Sequence, residues 1–325
     1  MAEDEFTKEL HENISRYNDV VLKPFWTNNS FSHAGGMYTP NTRCDYFEAE
    51  TSISSKFLNG TPLEYNGNNK FLHYTSLQGL IAILKSQKIR LYDFNNFNDP
   101  TEFTYANKYF RNIDDKTYLK EYKRQLFALS LCEFSEDTIK NNIDLWRLYA
   151  DNGKGACITF KIDKENIDNL YKFSFGKIDY KSNSQNIIEL DEIINRDKKF
   201  HEEFNFKCSN LSDVIAPLCC FYKSDLFKIE KEVRLFHFSK RQLHYKHDSS
   251  EVKCELNKEN KKVYYIELAI DKLEDNSIPF LKIDTIHLGY NLSQDSLNET
   301  FETINELEFP YRFNLGITPI KQHLG

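Results

Sequence analysis

The stretch Lys70–Phe94, KFLHYTSLQGLIAILKSQKIRLYDF, contains both strand and helix patterns and indicates the fold class. KFLHY and KIRLYDF have the composition of short strands. Between them, apolar residues recur at i, i+3, i+4 and i+7 from Leu77 to Leu84, which is one face of a helix. Thr75 and Gln78 have capping-box spacing, so the helix is predicted to begin at Thr75.

Strand and helix patterns continue along the chain without strict alternation. Strands are predicted at 126–132, 155–162, 229–238, 262–269, near 283–289 and near 311–318. Helices are predicted near 9–17, at 137–151, with interruptions over 184–223, and at 293–306. This order favours the α+β class, with a mixed, mostly antiparallel split sheet and flanking helices.

Residues 1–69 differ from the rest because, after one short helix, they are rich in glycine, asparagine and other turn residues. We predict that they form an N-terminal extension that packs on, or gates, a main domain over residues 70–325.

Composition limits the class of protein. The 325 residues are 40% hydrophobic and 14% aromatic, enough to bury a large core. The net charge of −7 argues against broad electrostatic capture of nucleic acid.

The cysteine pattern and the chain start predict a location. Seven cysteines without CxxC spacing, together with the acidic start MAEDEFTKEL and the lack of a long apolar run, predict reduced thiols in the cytoplasm and no membrane contact. We expect neither disulfides nor a structural zinc site.

Several common enzyme classes lack their motifs here. The sequence has no GxGxxG, no GxxxxGK[ST], no HExxH and no GxSxG, which disfavours dinucleotide-fold dehydrogenases, P-loop enzymes, zincins and α/β-hydrolases.

His73 is the first candidate site residue, because it ends a predicted strand just before a helix. Imidazole at such a position can bond a ribose or phosphate oxygen. The alternative is a histidine whose nitrogens are satisfied by turn backbone.

The second candidate is the glutamate pair in FKIEKEVRLF. Because side chains alternate along a strand, the acidic residues are predicted to share a face with an arginine, opposite the apolar face. The two faces are Glu230, Glu232 and Arg234 on one side, and Ile229, Val233 and Leu235 on the other. On an exposed face the Glu232–Arg234 pair would contribute only about 0–1 kcal/mol. In a cleft, one carboxylate would stabilise positive charge on a sugar carbon and the other would orient or deprotonate an acceptor.

Trp146 and Tyr149 lie three residues apart on a predicted helix. Such aromatic pairs belong more often to a core than to a ligand site. The alternative is a surface on which a planar ring stacks.

Five segments in order resemble the bacterial domain-of-unknown-function family 2971. They are FLHYTSLQGLIAILKSQKIRL, FNDPTEF, the segment from LSLCEFSED to LWRLYADNGKGACITF, FKIEKEVRLF and IDTIHLGYN, and they span about Lys70 to Thr318.

The strand with His73, the following GLxxIL helix and the later ExE segment are also similar to ADP-ribosyltransferases of the His-Tyr-Glu type. This resemblance implies an ADP-ribosyltransferase-like fold with NAD as substrate. By that comparison His73 holds the NAD ribose, Glu232 stabilises the oxocarbenium ion formed as nicotinamide leaves, and Glu230 faces the acceptor.

The resemblance leaves the tyrosine open between Tyr149, the first choice, and Tyr92 on the second predicted strand. The remaining NAD-binding candidates are Thr75, Trp146, Lys223 and Arg234, the last two for the pyrophosphate. No metal is required by this chemistry.

The resemblance therefore implies an ADP-ribosyltransferase that modifies a nucleic acid or protein, as a toxin or antiviral defence effector, with an antitoxin or defence-system partner. Two alternatives remain at this point: a non-catalytic module that senses a nucleotide or a phage component, and a metal-independent nuclease.

Overall fold

A computed structural model describes most of the chain. The described residues are 2–28, 31–34, 47–53, 57–97, 103, 116–162, 173–182, 187–239, 252–257, 259–270, 281–307 and 314–316. The FNDPTEF motif, apart from Phe97 and Phe103, lies outside them. Within these ranges no helix has the length and apolar character needed to cross a bilayer.

Helices occur throughout the described ranges. They are α1 (Ala2–Tyr17), α2 (Leu77–Ser86), α3 (Lys116–Lys123), α4 (Glu136–Asn141), α5 (Ile143–Tyr149), α6 (Ile188–Phe204), α7 (Leu211–Ile215) and α8 (Gln294–Glu306). One π-helical turn and three short 3-10 helices add to these: Asn18–Leu22, Asp151–Gly153, Ala216–Phe221 and Asp225–Glu230.

The strands are distributed between and around these helices. They are β1 (Phe31–Ala34), β2 (Phe47–Ile53), β3 (Lys70–Thr75), β4 (Lys88–Asp93), β5 (Leu126–Glu133), β6 (Ala156–Ile162), β7 (Ser174–Lys177), β8 (Asp179–Lys181), β9 (Phe206–Cys208), β10 (Tyr222–Ser224), β11 (Glu232–Phe238), β12 (Lys253–Leu256), β13 (Lys262–Ala269), β14 (Leu281–Leu288) and β15 (Asn314–Gly316).

The predicted α+β class is confirmed. In the described part of the chain, ten strands form one sheet that follows β12-β13-β4-β5-β3-β6-β14-β15, with β11 on β5 and β7 on β11. Pairing is antiparallel except between β14 and β15. Two small sheets, β1-β2-β9 and the parallel pair β8-β10, lie outside it.

The large sheet splits at β5. One edge of β5 pairs with β11 along 126–132, whereas the other edge pairs with β4 at 127–128 and with β3 at 132–133. Among the described strands, residues 129–131 therefore have a partner on one edge alone. Because β3 and β4 both run antiparallel to β5, they are parallel to each other, and α2 connects them across the gap.

Two predicted helix boundaries were wrong. The N-cap of α2 is Ser76, whose Oγ accepts from the Gly79 amide at 3.0 Å, rather than Thr75, which still belongs to β3. The helix predicted over 137–151 is two short helices, because Asn142 has non-helical φ −88° and ψ 78° and its side chain caps α5.

The strand predicted over 229–238 begins only at Glu232. Glu230 ends a 3-10 helix and Lys231 has φ 44°, so the two glutamates do not share a strand face. Ile229 is about half exposed instead of facing the core. Both faces of β11 are buried, so the exposed-face reading of its charges is also wrong.

Residues 1–69 share a hydrophobic core with the later chain. Trp26 and Phe57, each at most 2% exposed, belong to one buried cluster with Phe221 and Phe236. Trp26 donates its indole hydrogen to the Phe57 carbonyl at 2.9 Å. The N-terminal segment thus contributes buried side chains to the same core as β11.

Candidate functional site

A cavity of about 830 Å³ occupies the gap between β3 and β4. This volume lies within the roughly 300–1,000 Å³ of small-molecule sites. Seven of the residues singled out from the sequence line it: His73, Thr75, Tyr92, Tyr149, Lys223, Glu230 and Glu232. The split of the sheet therefore brings together residues that are up to 159 positions apart, from His73 to Glu232.

His73 reaches the cavity from β3. It follows Phe71 in the strand alternation, and its ring lies 6.3 Å from that of Phe160. Its Nδ1 is 3.4 Å from the Ser130 carbonyl oxygen, which can only accept, so Nδ1 carries the proton and Nε2 is the acceptor nitrogen. Burial lowers the pKa of His73 to about 4, so the ring is neutral at pH 7.

Glu232 reaches the cavity from the other face of the sheet. It pairs in register with Cys132, which in turn pairs with Leu72, the neighbour of His73 on β3. The imidazole and the carboxylates thus approach the cavity from opposite faces of the sheet, and both line it because the sheet is open between β3 and β4.

The left-handed conformation of Lys231 brings Glu230 beside Glu232. The chain turns at this residue from the 3-10 helix into β11, and both carboxylates are 4% exposed. The adjacency of the two glutamates was predicted correctly, but it arises from a turn and not from a common strand.

Two cations neutralise this acidic pair. Arg234 Nε donates to Glu232 Oε1 at 2.6 Å, and its Nη2 donates to Glu232 Oε2 at 3.2 Å. Lys223 Nζ lies 2.8 Å from Glu230 Oε2 and 3.3 Å from Glu232 Oε2. We call Lys223, Glu230, Glu232 and Arg234 the buried quartet, and its formal charges sum to zero.

The neighbours of the two carboxyls push their pKa values apart. For Glu232, burial opposes ionisation, but Arg234 and Lys223 outweigh it and lower the pKa to about 2. For Glu230, burial outweighs the attraction of Lys223 and raises the pKa above its usual value. Glu232 is therefore a permanent anion near neutral pH, whereas Glu230 is the carboxyl suited to exchange a proton.

Tyr149 connects α5 to the quartet. Its hydroxyl donates to Glu230 Oε1, and its ring remains 37% exposed at the cavity. Burial and the neighbouring Glu230 raise the pKa of Tyr149, so the hydroxyl remains a donor. Of the two tyrosines considered, Tyr149 contacts a glutamate, while Tyr92 lies on the β4 wall with its ring 6.2 Å from Tyr265.

Two predicted NAD-binding residues do not line the cavity. Trp146 is 2% exposed, donates to the Ile139 carbonyl at 2.9 Å and packs edge-on against Tyr74, as the core interpretation expects. Arg234 is 1% exposed and directs its guanidinium to Glu232 and the Cys220 carbonyl. Neither side chain is therefore placed to contact a ligand in this cavity, whereas Lys223 lines it with its ammonium in contact with both glutamates.

Sequence reasoning missed several lining residues. The missed set comprises three residues of β5, two cations of β4 and two aromatic residues: Leu129, Ser130, Leu131, Lys88, Arg90, Phe97 and Phe227. The two rings lie close to the quartet. The centroid of the Phe227 ring is 4.6 Å from Lys223 Nζ, and that of the Phe97 ring is 5.3 Å from the Arg234 guanidinium carbon. Alternation along β4 offered a signal for Lys88, Arg90 and Tyr92, which share one face.

Comparison with known proteins gives one match. Residues 145–235 match the model of a family described as a protein of unknown function, DUF2971, which confirms the resemblance to that family over this segment. The motifs before residue 145 and after residue 235 lie outside the match. The matched segment includes Tyr149, Lys223, Glu230 and Glu232, and His73 lies outside it. No curated protein and no solved structure matches the chain.

Proposed function

We propose that the chain is an NAD-dependent ADP-ribosyltransferase and that the cavity between β3 and β4 is its active site. The observation that supports this most strongly is the presence of His73, Tyr149 and both glutamates on one cavity. These are the residue types that the reaction requires, and they come from four separate parts of the fold.

The cavity fits a dinucleotide in size and in chemistry. Its volume of about 830 Å³ suits a ligand larger than a single sugar. Neutral His73 can accept a hydrogen bond from a ribose hydroxyl through Nε2, and the exposed face of Tyr149 can stack on a planar ring.

Because their pKa values differ, the two carboxylates are suited to different steps of the proposed reaction. Glu232, ionised at neutral pH, stabilises the positive charge that develops on the ribose carbon as the glycosidic bond breaks and nicotinamide leaves with the bonding pair. Glu230 takes the proton that the acceptor's nucleophilic atom loses as it bonds to the same carbon.

The proposed acceptor is an intracellular macromolecule, either nucleic acid or protein. Side chains at the mouth support access by a large partner, because Leu148 is 63% exposed next to Tyr149. A role as a toxin or antiphage effector, working in the cytoplasm with a restraining partner, remains part of this proposal.

A second candidate is a nucleotide-binding module without turnover. One observation favours it: each carboxylate already contacts a cation, as in a purely structural ion cluster. Under this reading the cavity would bind NAD but leave it intact.

The deciding experiment incubates the pure protein with NAD labelled in the adenosine half, with and without mixed cell extract. Transfer of label to nucleic acid or protein supports the proposal. Binding without consumption supports the second candidate. Absence of both binding and consumption, for a protein that unfolds cooperatively, rejects both.

Variants of the site sharpen this test. We expect Glu230→Gln to lower label transfer by about 10²-fold or more, as for loss of a general base. The matched control is Glu189→Gln, which also removes a lysine-paired carboxylate, since Glu189 Oε1 is 2.8 Å from Lys181, but lies away from the cavity. Equal activity of the two variants would contradict the proposed role.

A further inference from the structure

Lys223 enters the site from outside the large sheet. It lies on β10, which pairs in parallel with β8, and its register partner is Tyr180. The side chain is 7% exposed and its ammonium contacts one oxygen of each glutamate. A strand of a separate small sheet thus supplies the cation that joins the two carboxylates.

The two glutamates depend on Lys223 to different degrees. Glu232 is held on both oxygens by Arg234, so it keeps a cation without Lys223. Within the described part of the chain, Lys223 is the one cation within salt-bridge distance of Glu230, whose other partner is the neutral hydroxyl of Tyr149.

We infer that Lys223 is the positioning residue that fixes the Glu230 carboxylate, and its negative charge, beside Glu232. This inference rests on the proposed function, because it assigns Lys223 to the step in which Glu230 accepts a proton. Loss of the ammonium leaves Glu230 buried next to a permanent anion, and Glu230 then takes up a proton and no longer acts as a base.

Several other groups around Glu230 determine how it titrates. They are Tyr149 of α5, Cys132 of β5, Tyr180 of β8 and Glu232 of β11. Burial raises the pKa of Glu230, Lys223 and the Tyr149 hydrogen bond lower it, and Glu232 raises it. Removal of Lys223 deletes the strongest opposing influence, so the pKa of Glu230 rises further.

The activity test compares the pH profiles of kcat/KM for wild type, Lys223→Met and Lys223→Arg. We expect Lys223→Met to lose about tenfold or more at pH 7, to shift its acidic limb to higher pH and to recover part of its activity there. Lys223→Arg, which retains a cation, should restore the wild-type limb in part. An unshifted limb in Lys223→Met would overturn the inference.

The matched control is Lys181→Met. Lys181 also bridges two carboxylates, Asp179 at 2.9 Å and Glu189 at 2.8 Å, but it does not line the cavity. We expect an unshifted pH profile for this variant. A shift equal to that of Lys223→Met would show a general effect of lost ion pairs and would also overturn the inference.

A second measurement decides the inference even if the chain never consumes NAD. A carboxyl whose pKa is raised on folding makes its full contribution to stability below its unfolded pKa. That contribution is lost as the pH rises through its folded pKa. The melting temperature of Lys223→Met should therefore fall as the pH rises above about 4.5, relative to Lys223→Met/Glu230→Gln, which lacks the buried acid. Parallel melting curves for the single and double variants would refute the role of Lys223, whereas absent NAD turnover alone would reject only the proposed function.

Discussion

Glu230 and Glu232 carry the same side chain, two positions apart, and titrate in opposite directions. Glu232 receives two hydrogen bonds from one guanidinium and a third from Lys223, whereas Glu230 has one ammonium and one tyrosine hydroxyl. Both residues are 4% exposed, so burial does not explain why their pKa values shift in opposite directions. The difference lies in the cations in contact, two at Glu232 and one at Glu230.

At Glu232 we predict a large loss of stability on Glu232→Gln. The change leaves the Arg234 guanidinium buried beside an uncharged amide, and breaking a buried pair on one side costs about 3–5 kcal/mol. Denaturant unfolding measures this loss. The matched Glu136→Gln, in a pair with Lys140 in which both side chains are mostly exposed, should change stability little. Equal effects would contradict the burial of the quartet.

At His73 we predict an acid-dependent loss of stability. A histidine whose pKa falls from 6.5 unfolded to about 4 folded stabilises the native state above pH 6.5, and that contribution is lost as the pH falls from 6.5 towards 4. The melting temperature of wild type should thus fall more steeply over this interval than that of His73→Gln. If the melting temperatures of wild type and His73→Gln fell with the same slope against pH, the imidazole would be solvated.

At the scale of elements, hydrophobic periodicity predicted most strands and helices but missed two backbone turns. Asn142 breaks the predicted helix because its side-chain oxygen accepts from the Leu145 amide, and Lys231, at φ 44°, delays the start of the predicted strand to Glu232. Asparagine is a favoured N-cap residue, so Asn142 carries a local signal that the apolar periodicity hid, whereas a lysine at position 231 gives no local sign of a left-handed turn. The site was predictable as a set of residue types, whereas its geometry depends on these two turns and on the split at β5.

The cap of α2 gives a test at this scale. Ser76→Ala should cost about 1 kcal/mol, because it removes the acceptor of the Gly79 amide. Thr75→Val, which keeps the shape of a residue still in β3, should preserve the stability of the helix start. Denaturant unfolding of the two variants distinguishes them, and a larger loss for Thr75→Val would support the capping box predicted from the sequence.

The junction of β6 with β3 depends on a glycine. A Cβ at Gly155 would lie 2.2 Å from the Thr75 carbonyl oxygen, a backbone atom on the cavity wall. Gly155→Ala should therefore destabilise the fold by about 1–3 kcal/mol and weaken NAD binding, as read by unfolding and by titration.

Gly79→Ala is the control for this change. Its new methyl group would meet the Thr75 hydroxyl, which can rotate away, and alanine is the better helix former. We expect it to retain stability. If Gly155→Ala were equally well tolerated, the close approach of β6 to β3 would be in doubt.

At the scale of the whole molecule, part of the N-terminal segment contributes to the interior. Tyr17, Val21, Leu22 and Trp26 have no measurable exposure and pack in the same cluster as Phe221 and Phe236. The sequence marked residues 1–69 as distinct because they are rich in turn residues. Composition does not reveal how such a segment packs against the rest of the chain. Packing alone shows that β11, which carries Glu232, lies over a core partly built from this segment.

Deletion of residues 1–69 tests this arrangement. A chain that begins at Lys70 would expose the apolar partners of Trp26 and Phe57 to water, so we expect aggregation or loss of cooperative unfolding. Calorimetry and limited proteolysis provide the measurement. A soluble truncated protein with an unchanged melting transition would instead show that the rest of the chain folds without the segment.

The split at β5 also determines what the floor of the cavity is made of. Leu129, Ser130 and Leu131 line it. Peptide groups alternate between the two edges of a strand, and the Glu133 amide bonds the Lys231 carbonyl on the β11 side, so of these three residues Ser130 presents its peptide group to the open edge. Its carbonyl oxygen lies 3.4 Å from His73 Nδ1. Peptide groups of this kind are present whatever side chains the chain carries. A ligand anchored on the Ser130 amide would survive substitutions of the surrounding side chains, so selectivity could be re-engineered around an attachment point that, at this position, a change to proline would remove.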